Sequence, residues 1–356
     1  MTTLRMAGLT DVGRQRRDNQ DAFLCEPLWN DHTALLVVID GVGGYAGGDV
    51  AAQLARESIQ RYMTEPTGDT LTMLREAVVY ANNQIAQQRH ADPRLSMMCC
   101  VLTAAVADVA QRKVWYAHVG DTRLYRFQLG TGSGTDQFVK VTSDHSVVGV
   151  REDANQLTEA QAMQHPRRNE VLRTVGSAVH RVDDVDFLES GEVEFGPGEG
   201  LLLCSDGLTD MLMQAEVMAV LGTSAMLEEQ LAELIRQANE AGGQDNITVV
   251  LALHTAESSA GESSPGESLP GSVVNVEPVT VEPVREVQKV TPVGDLSELP
   301  TVTPTPQPTP QPSPQPTPTP SATKAEGIAA EGSGMAWVLA ILALILGIVY
   351  YFMSRA

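Results

Sequence analysis

The chain has 356 residues, 43% hydrophobic and 19% charged, with a formal net charge of -21. That length allows a sizeable core, and so acidic a chain is a poor partner for nucleic acid or any other polyanion. Its four cysteines, Cys25, Cys99, Cys100 and Cys204, show no CxxC or Cys/His spacing, which excludes a disulfide scaffold, speaks against a zinc-thiolate site and suits buried free thiols.

The first residues lack the charged start, apolar stretch and small-residue cleavage site of a secretory signal, so the chain is expected to begin in the cytosol. ALLVVI at 34–39 then predicts a strand. Helical spacing predicts α-helices over 50–63, with Val50, Leu54, Ile59 and Tyr62 on one side, and over 71–88, with Leu71, Leu74, Val78, Ala81 and Ile85. Runs at 101–109 and 114–119 (VWYAHV) predict two more strands. Thr158 caps a short helix, Gln161 closing a capping box, that ends before Pro166. A strand at 201–204 (LLLC), a helix at 225–240 capped by Ser224 and stopped at Gly242 and Gly243, and a strand at 247–253 (ITVVLAL) complete the series. Strands often follow strands, so the expectation is an α+β domain over 1–254 rather than a doubly wound parallel sheet.

After residue 254 the composition changes. Residues 255–334 contain no aromatic residue and no apolar period, so they are expected to be a disordered linker. Within it, 304–320 (PTPQPTPQPSPQPTPTP) places proline at every second position, which makes a semi-rigid spacer of about 3 Å per residue. Residues 335–353 (MAWVLAILALILGIVYYFM) form an uncharged apolar run flanked by Trp337, Tyr350 and Tyr351, near the ~20 residues that a membrane-spanning helix needs. With the short tail 354–356 beyond it, this run is expected to act as a single-pass anchor in the inner membrane, the domain over 1–254 remaining cytoplasmic.

Four aspartates sit where an apolar strand meets a turn: Asp40 in VVIDGVGG, Asp121 in AHVGDTRLY, Asp206 in LLLCSDGL and Asp245 in GGQDNITVV. Each alone is ordinary turn chemistry. Four carboxylates gathered at one end of a sandwich would repel unless cations neutralise them, and an oxygen-only donor set favours Mg²⁺ or Mn²⁺. Glycines after Asp40, Gly41 first among them, would let backbone approach an ion. Near the N-terminus, GRQRRDNQDAF sets Arg14, Arg16 and Arg17 beside Asp18 and Asp21; arginine's forked donors match two phosphate oxygens.

These segments, with DGVGG, GDTRLY, SDHS at 143–146, QLTEAQAMQHPRRN at 156–169, SDGLTD and GGQDNITVV, occur in the order and spacing of the bacterial metal-dependent protein phosphatases of the 2C type, the PPM family. The resemblance covers residues 1–254. It implies a four-layer sandwich, two antiparallel β-sheets flanked by helices, with a dinuclear Mn²⁺ or Mg²⁺ centre at one end. On this resemblance Asp40 bridges both ions, the Gly41 carbonyl binds one, and Asp206 and Asp245 bind the other. Asp21 reaches an ion through water, Arg16 binds the substrate phosphate, and Asp121 binds a weaker third ion, shared with Asp206. Gln20, Val42 and Tyr45 replace the Glu, Met and His of many members, and none of these changes deletes a direct ligand. Residues 147–169 correspond to a variable flap over the site.

The resemblance implies hydrolysis of phosphoserine and phosphothreonine in proteins by a metal-activated water, with Asp40 and Arg16 at its centre. The partners it implies are Ser/Thr-phosphorylated proteins, among them a Ser/Thr kinase and its substrates. No CxxxxxR or DxDGT motif offers a phosphoenzyme route. His118 and His145 are candidate donors to the leaving oxygen, His118 the better suited to packing. Two other readings are an inactive, membrane-tethered phosphoprotein-binding module and a metal-dependent esterase for small phosphates.

Overall fold

A computed structural model describes residues 2–42, 47–129 and 137–256, and in them the apolar runs become ten strands in two antiparallel sheets. One sheet has the spatial order β1 (Thr2–Asp11), β10 (Ile247–Ala256), β9 (Glu199–Cys204), β6 (Arg123–Gln128), β7 (Gln137–Lys140). The other has the order β2 (Ala22–Leu28), β3 (Asn30–Val42), β4 (Cys99–Asp108), β5 (Lys113–Val119), β8 (Glu189–Glu194). The first and last strands of the domain are partners along their whole length, with Thr2 opposite Ala256 and Asp11 opposite Ile247. β10 thus runs past residue 254, the sequence-based end of the domain.

Strand periodicity explains the layers. In β3, Ala34, Leu36 and Val38 face the other sheet, where they meet Leu201, Leu203, Val250 and Ala252 of β9 and β10. The alternate residues Leu35, Val37 and Ile39 face α1 (Gly48–Tyr62) and α2 (Thr70–Ala91). In the other sheet Leu202, Cys204, Val249 and Leu251 face α6 (Gln214–Leu221) and α7 (Leu227–Glu240). A strand packed on both faces reads as an unbroken apolar run, which is why these strands are visible in the sequence. Leu36 is 0% exposed, and truncating such a side chain to alanine costs about 2–5 kcal/mol.

Two helical expectations shift. α1 buries Ala51, Ala52, Ala55 and Ile59, while Val50 is 38% exposed; the small residues let the helix lie close to its neighbours. α7 begins at Leu227, and the Glu229 carboxylate accepts from the Met226 N–H, so Ser224 is not its cap. The capping box of Thr158 and Gln161 is present at the start of α4 (Glu159–Met163). α3 (Gly149–Asp153) and α5 (Asp206–Thr209) are short helices near the site. Among the described residues no helix is long and apolar enough to cross a membrane. The linker beyond Ala256, its proline spacer, the 335–353 run, the 354–356 tail and Gly43, Gly44 and Tyr45 lie outside the described residues.

Candidate active site

The sandwich places strand ends from both sheets at one cavity of about 100 Å³. Its lining includes Arg16, Asp40, Gly41, Asp121, Asp206 and Asp245, six of the seven residues proposed for the site, together with Gln20, Asn169 and Asn246. Asp40 and Gly41 come from the end of β3, Asp121 from the turn after β5, Asp206 from the start of α5 after β9, and Asp245 from the turn into β10. Gly41 has to be glycine, because a Cβ there would lie 2.6 Å from the Gln20 carbonyl oxygen and closer still to that of Gly48. A glycine also turns the chain before Asp121: Gly120 has φ +110° and its carbonyl accepts from His145 N at 2.6 Å.

Asp21, the seventh residue, sits directly before β2. Its Oδ2 accepts from the Ser205 hydroxyl at 2.9 Å and the Thr248 hydroxyl at 2.6 Å. Ser205 Oγ in turn accepts from Thr248 N at 3.0 Å, which ties the Asp206 turn to β10. Asn246 is a second organiser. Its amide donates to the carbonyls of Val12 and Asp18 at 2.9 and 3.0 Å and accepts from Gln20 N at 2.8 Å. One side chain therefore pins the arginine-bearing loop to the Asp245 turn. The motifs SDGLTD and GGQDNITVV contain Ser205, Asn246 and Thr248, but nothing in the sequence alone marks these three as organisers of the site.

The electrostatics are those of crowded acids. Burial pushes Asp21 up to about 7, the two hydroxyls opposing it and the Asp245 charge adding to it. Burial, then the charges of Asp21, Asp245 and Asp121, raises Asp40 well above the usual carboxylate range. Asp206 is raised in the same way by burial and by Asp40, Asp210, Asp121 and Asp245. Asp121 is pushed up to about 7 by burial and the nearby Asp144, with Arg123 opposing. Arg16 brings the one cation of this lining, donating from Nη2 to Asp245 Oδ2 at 2.7 Å.

Among the described residues no three His, Cys, Asp or Glu side chains converge as a preset cage for an ion. The cavity nevertheless fits hard cations. Its charged donors are all oxygen, its carboxylates raise one another's proton affinity, and Asp206 Oδ1 is buried with no hydrogen-bond partner. An ion such as Mn²⁺ or Mg²⁺ would satisfy that oxygen and offset the repulsion.

The two candidate histidines are elsewhere. His118 is 0% exposed, with Nδ1 2.9 Å from Thr103 Oγ1 and Nε2 3.1 Å from the Ser143 carbonyl. His145 accepts from Gly120 N at 3.2 Å and packs at 4.9 Å between ring centroids against His118. Neither lines the cavity. The flap does reach it, through Asn169 at its C-terminal end, with Val171 just beyond. Beside them, Arg168 donates to Asp210 Oδ2 at 2.8 Å and to Gln244 Oε1 at 2.6 Å, and Glu159 Oε1 accepts from Gln214 N at 2.7 Å.

Comparison with known proteins gives concordant matches. A family model described as Protein phosphatase 2C matches residues 13–252. The Serine/threonine phosphatase stp of Listeria innocua serovar 6a is 34% identical over 248 residues, covering 68% of this chain and 92% of the relative. Protein phosphatase PhpP of Streptococcus pneumoniae serotype 2 is 32% identical over 256 residues, covering 70% and 98%. The crystal structure of the Mycobacterium tuberculosis serine/threonine phosphatase PstP/Ppp is 30% identical and superimposes with a TM-score of 0.61, covering 71% of this chain and 99% of that one. A structure of the PstP catalytic domain in complex with two manganese ions gives 0.60 at 30% identity, covering 72% and 100%.

Proposed function

The chain belongs to the Protein phosphatase 2C family, and from that premise we propose that it hydrolyses phosphoserine and phosphothreonine in proteins by direct attack of water on phosphorus. The observation that carries this reading is the convergence of Asp40, Gly41, Asp121, Asp206 and Asp245 with Arg16 on one cavity. Asp40, the Gly41 carbonyl, Asp206 and Asp245 would hold two Mn²⁺ or Mg²⁺ ions, with Asp121 available to a third, and such ions would supply Lewis acidity towards water and offset phosphoryl charge.

The chain's own residues do the rest. Arg16 orients the phosphate with forked donors and holds it through the displacement, being bonded to Asp245 by only one nitrogen of the fork. Asp21, fixed by Ser205 and Thr248, orients water in the cavity. Asn246 keeps the Arg16 loop in register with the Asp245 turn. Water adds its oxygen to phosphorus, the ester bond to the serine or threonine oxygen breaks, and the products are inorganic phosphate and the free hydroxyl.

The substrates are phosphoproteins, a Ser/Thr kinase and its targets among them. The apolar 335–353 run supports a membrane tether, with the domain on the cytoplasmic side; its four cysteines, all free thiols, suit that reducing compartment. The test is the full chain assayed on phosphoserine, phosphothreonine and phosphotyrosine peptides and on a small phosphate ester, with Mn²⁺, with Mg²⁺ and with neither. Metal-dependent release from the first two peptides is the expected result. Hydrolysis of the small ester alone would point to an esterase, and no hydrolysis at all to a binding module.

A further inference from the structure

An open groove of about 560 Å³ lies beside the carboxylate cavity, lined by the flap helix α4, the segment leading into α6 and the turn after α7. Met163, Met211 and Met213 form its apolar wall, with Ala160 and Ala241 between them. It adjoins the cavity along three separate stretches of chain. Arg168 directly precedes the cavity residue Asn169, Asp210 lies one helical turn beyond Asp206, and Gln244 directly precedes Asp245. Arg168 joins these stretches by its bonds to Asp210 and Gln244.

A phosphoprotein brings its phosphate on a polypeptide that must leave the cavity on both sides. In extended conformation each residue advances about 3.3 Å, so residues two or three away from the phosphoresidue lie about 7–10 Å out. The groove, whose Arg168 and Gln244 are chain neighbours of the cavity residues Asn169 and Asp245, is placed to receive one of them. Its chemistry selects the kind. Met211 packs onto the core beneath α6 and α7 and gives a fixed floor, whereas Met213 is 39% exposed and free to adjust. Unbranched thioethers mould to aliphatic side chains of varied shape. The groove's cation is committed, because Arg168 is paired with Asp210, and Glu216 Oε2 accepts from Met213 N at 2.8 Å. An acidic side chain would find no partner there.

Resting on the phosphatase reading above, we propose that this groove binds an aliphatic side chain of the protein substrate, two or three residues from the phosphoserine or phosphothreonine, and that Met163 and Met213 determine this specificity. Phosphothreonine peptides carrying Leu, Ala or Glu at the second and third positions on either side are assayed with the full chain and Mn²⁺. One of these positions should favour Leu over Glu by about tenfold in kcat/KM, mainly through KM, the range of a single aliphatic pocket. Met213→Glu should reduce that preference to near unity, and Met213→Gln, which preserves length and adds no charge, should reduce it severalfold if Glu at this position disturbs α6. para-Nitrophenyl phosphate, too small to reach the groove, reports on the chemistry alone. If the wild-type chain hydrolyses neither it nor any of the phosphopeptides, the phosphatase reading falls and the proposal with it. If it is hydrolysed while all peptides react equally, or the preference for Leu is the same in both variants, the groove proposal alone is overturned.

Discussion

Arg16 and Asp245 stand 229 positions apart in the chain and meet at 2.7 Å, Nη2 to Oδ2, at the mouth of the carboxylate cavity. The contact joins the side chain proposed for the phosphate to one proposed for an ion. In the role proposed for it Arg16 contacts the ester both as it binds and as it reacts, so Arg16→Ala should raise KM by about tenfold or more with a smaller fall in kcat. Arg14→Ala and Arg17→Ala, on the same loop, should change either constant far less. Steady-state kinetics on one phosphothreonine peptide checks all three, and a larger effect at Arg14 or Arg17 would reassign the phosphate contact.

Chelation is the direct test of the carboxylates. Activity should vanish in EDTA and return with Mn²⁺ or Mg²⁺, and the melting temperature should rise with added ion, by the equivalent of about 2.7 kcal/mol at a hundredfold excess over Kd. Asp40→Asn and Asp206→Asn each remove a charge from a group that burial and its neighbours already disfavour as an anion. Turnover should fall by at least about a hundredfold, while melting in EDTA stays level or improves. A large drop in the EDTA melting temperature would show that these side chains hold the fold rather than ions.

His145, outside the lining of the proposed ion cavity, gives a separate pH dependence. Burial, followed by the neighbouring His118 and Arg173, pushes it down to about 3 from an ordinary 6.5. A histidine that is harder to protonate in the folded state contributes stability present above 6.5 and lost as pH falls from there towards 3, by up to about 1.4 kcal/mol per unit. Denaturant unfolding of the wild type and His145→Gln between pH 7 and 5 should show a shallower decline in the variant. Parallel curves would place the acid sensitivity elsewhere.

The Arg168 bridge between flap and core should matter to stability. Arg168→Ala leaves Asp210, already raised by burial, without its partner. Both side chains are partly exposed, at 26% and 23%, so the loss should be roughly 1–2 kcal/mol rather than that of a fully buried pair. Chemical denaturation measures it, and an unchanged midpoint would mean that the flap's other contacts, among them Glu159 with Gln214 and Glu152 with Arg123, suffice to keep it docked.

A tether acts through local concentration, not through the geometry of the cavity. Removing residues 257–356, which keeps all of β10, should leave kcat on a free phosphopeptide within about twofold, move the protein from the membrane to the soluble fraction, and slow dephosphorylation of membrane-bound substrates. A truncated protein that stays with membranes after a high-salt wash, or loses several-fold on the free peptide, would refute the tether.

The strands legible in the sequence are β3, β4, β5, β9 and β10, each interior to its sheet and packed on both faces. All four edge strands, β1, β2, β7 and β8, escaped notice. An edge strand has one unpaired side and meets solvent, so it carries residues such as Arg5, Glu26, Lys140 and Glu192 that blur an apolar pattern. β6 was the exception among interior strands, its run broken by Arg123 and Arg126, which are engaged with Asp144 and Glu199. In the site, the aspartates were legible because each ends an apolar run at a turn. Ser205, Thr248 and Asn246 were not, because their roles arise only when segments some two hundred positions apart come together.

The pairing of β1 with β10 sets an order on how this domain comes into being. Residues 22–119 contain β2 to β5 with α1 and α2, four adjacent strands of one sheet that pair with one another, so this part of the sheet has its backbone partners once residue 119 has left the ribosome. β1, although made first, must wait for the last residues of the domain before its backbone finds a partner. The same delay governs Asp40 and Asp245, supplied by opposite ends of the domain. The proposed centre is therefore incomplete until nearly all of the domain has been made, and synthesis halted in the last strand leaves β1 without its partner.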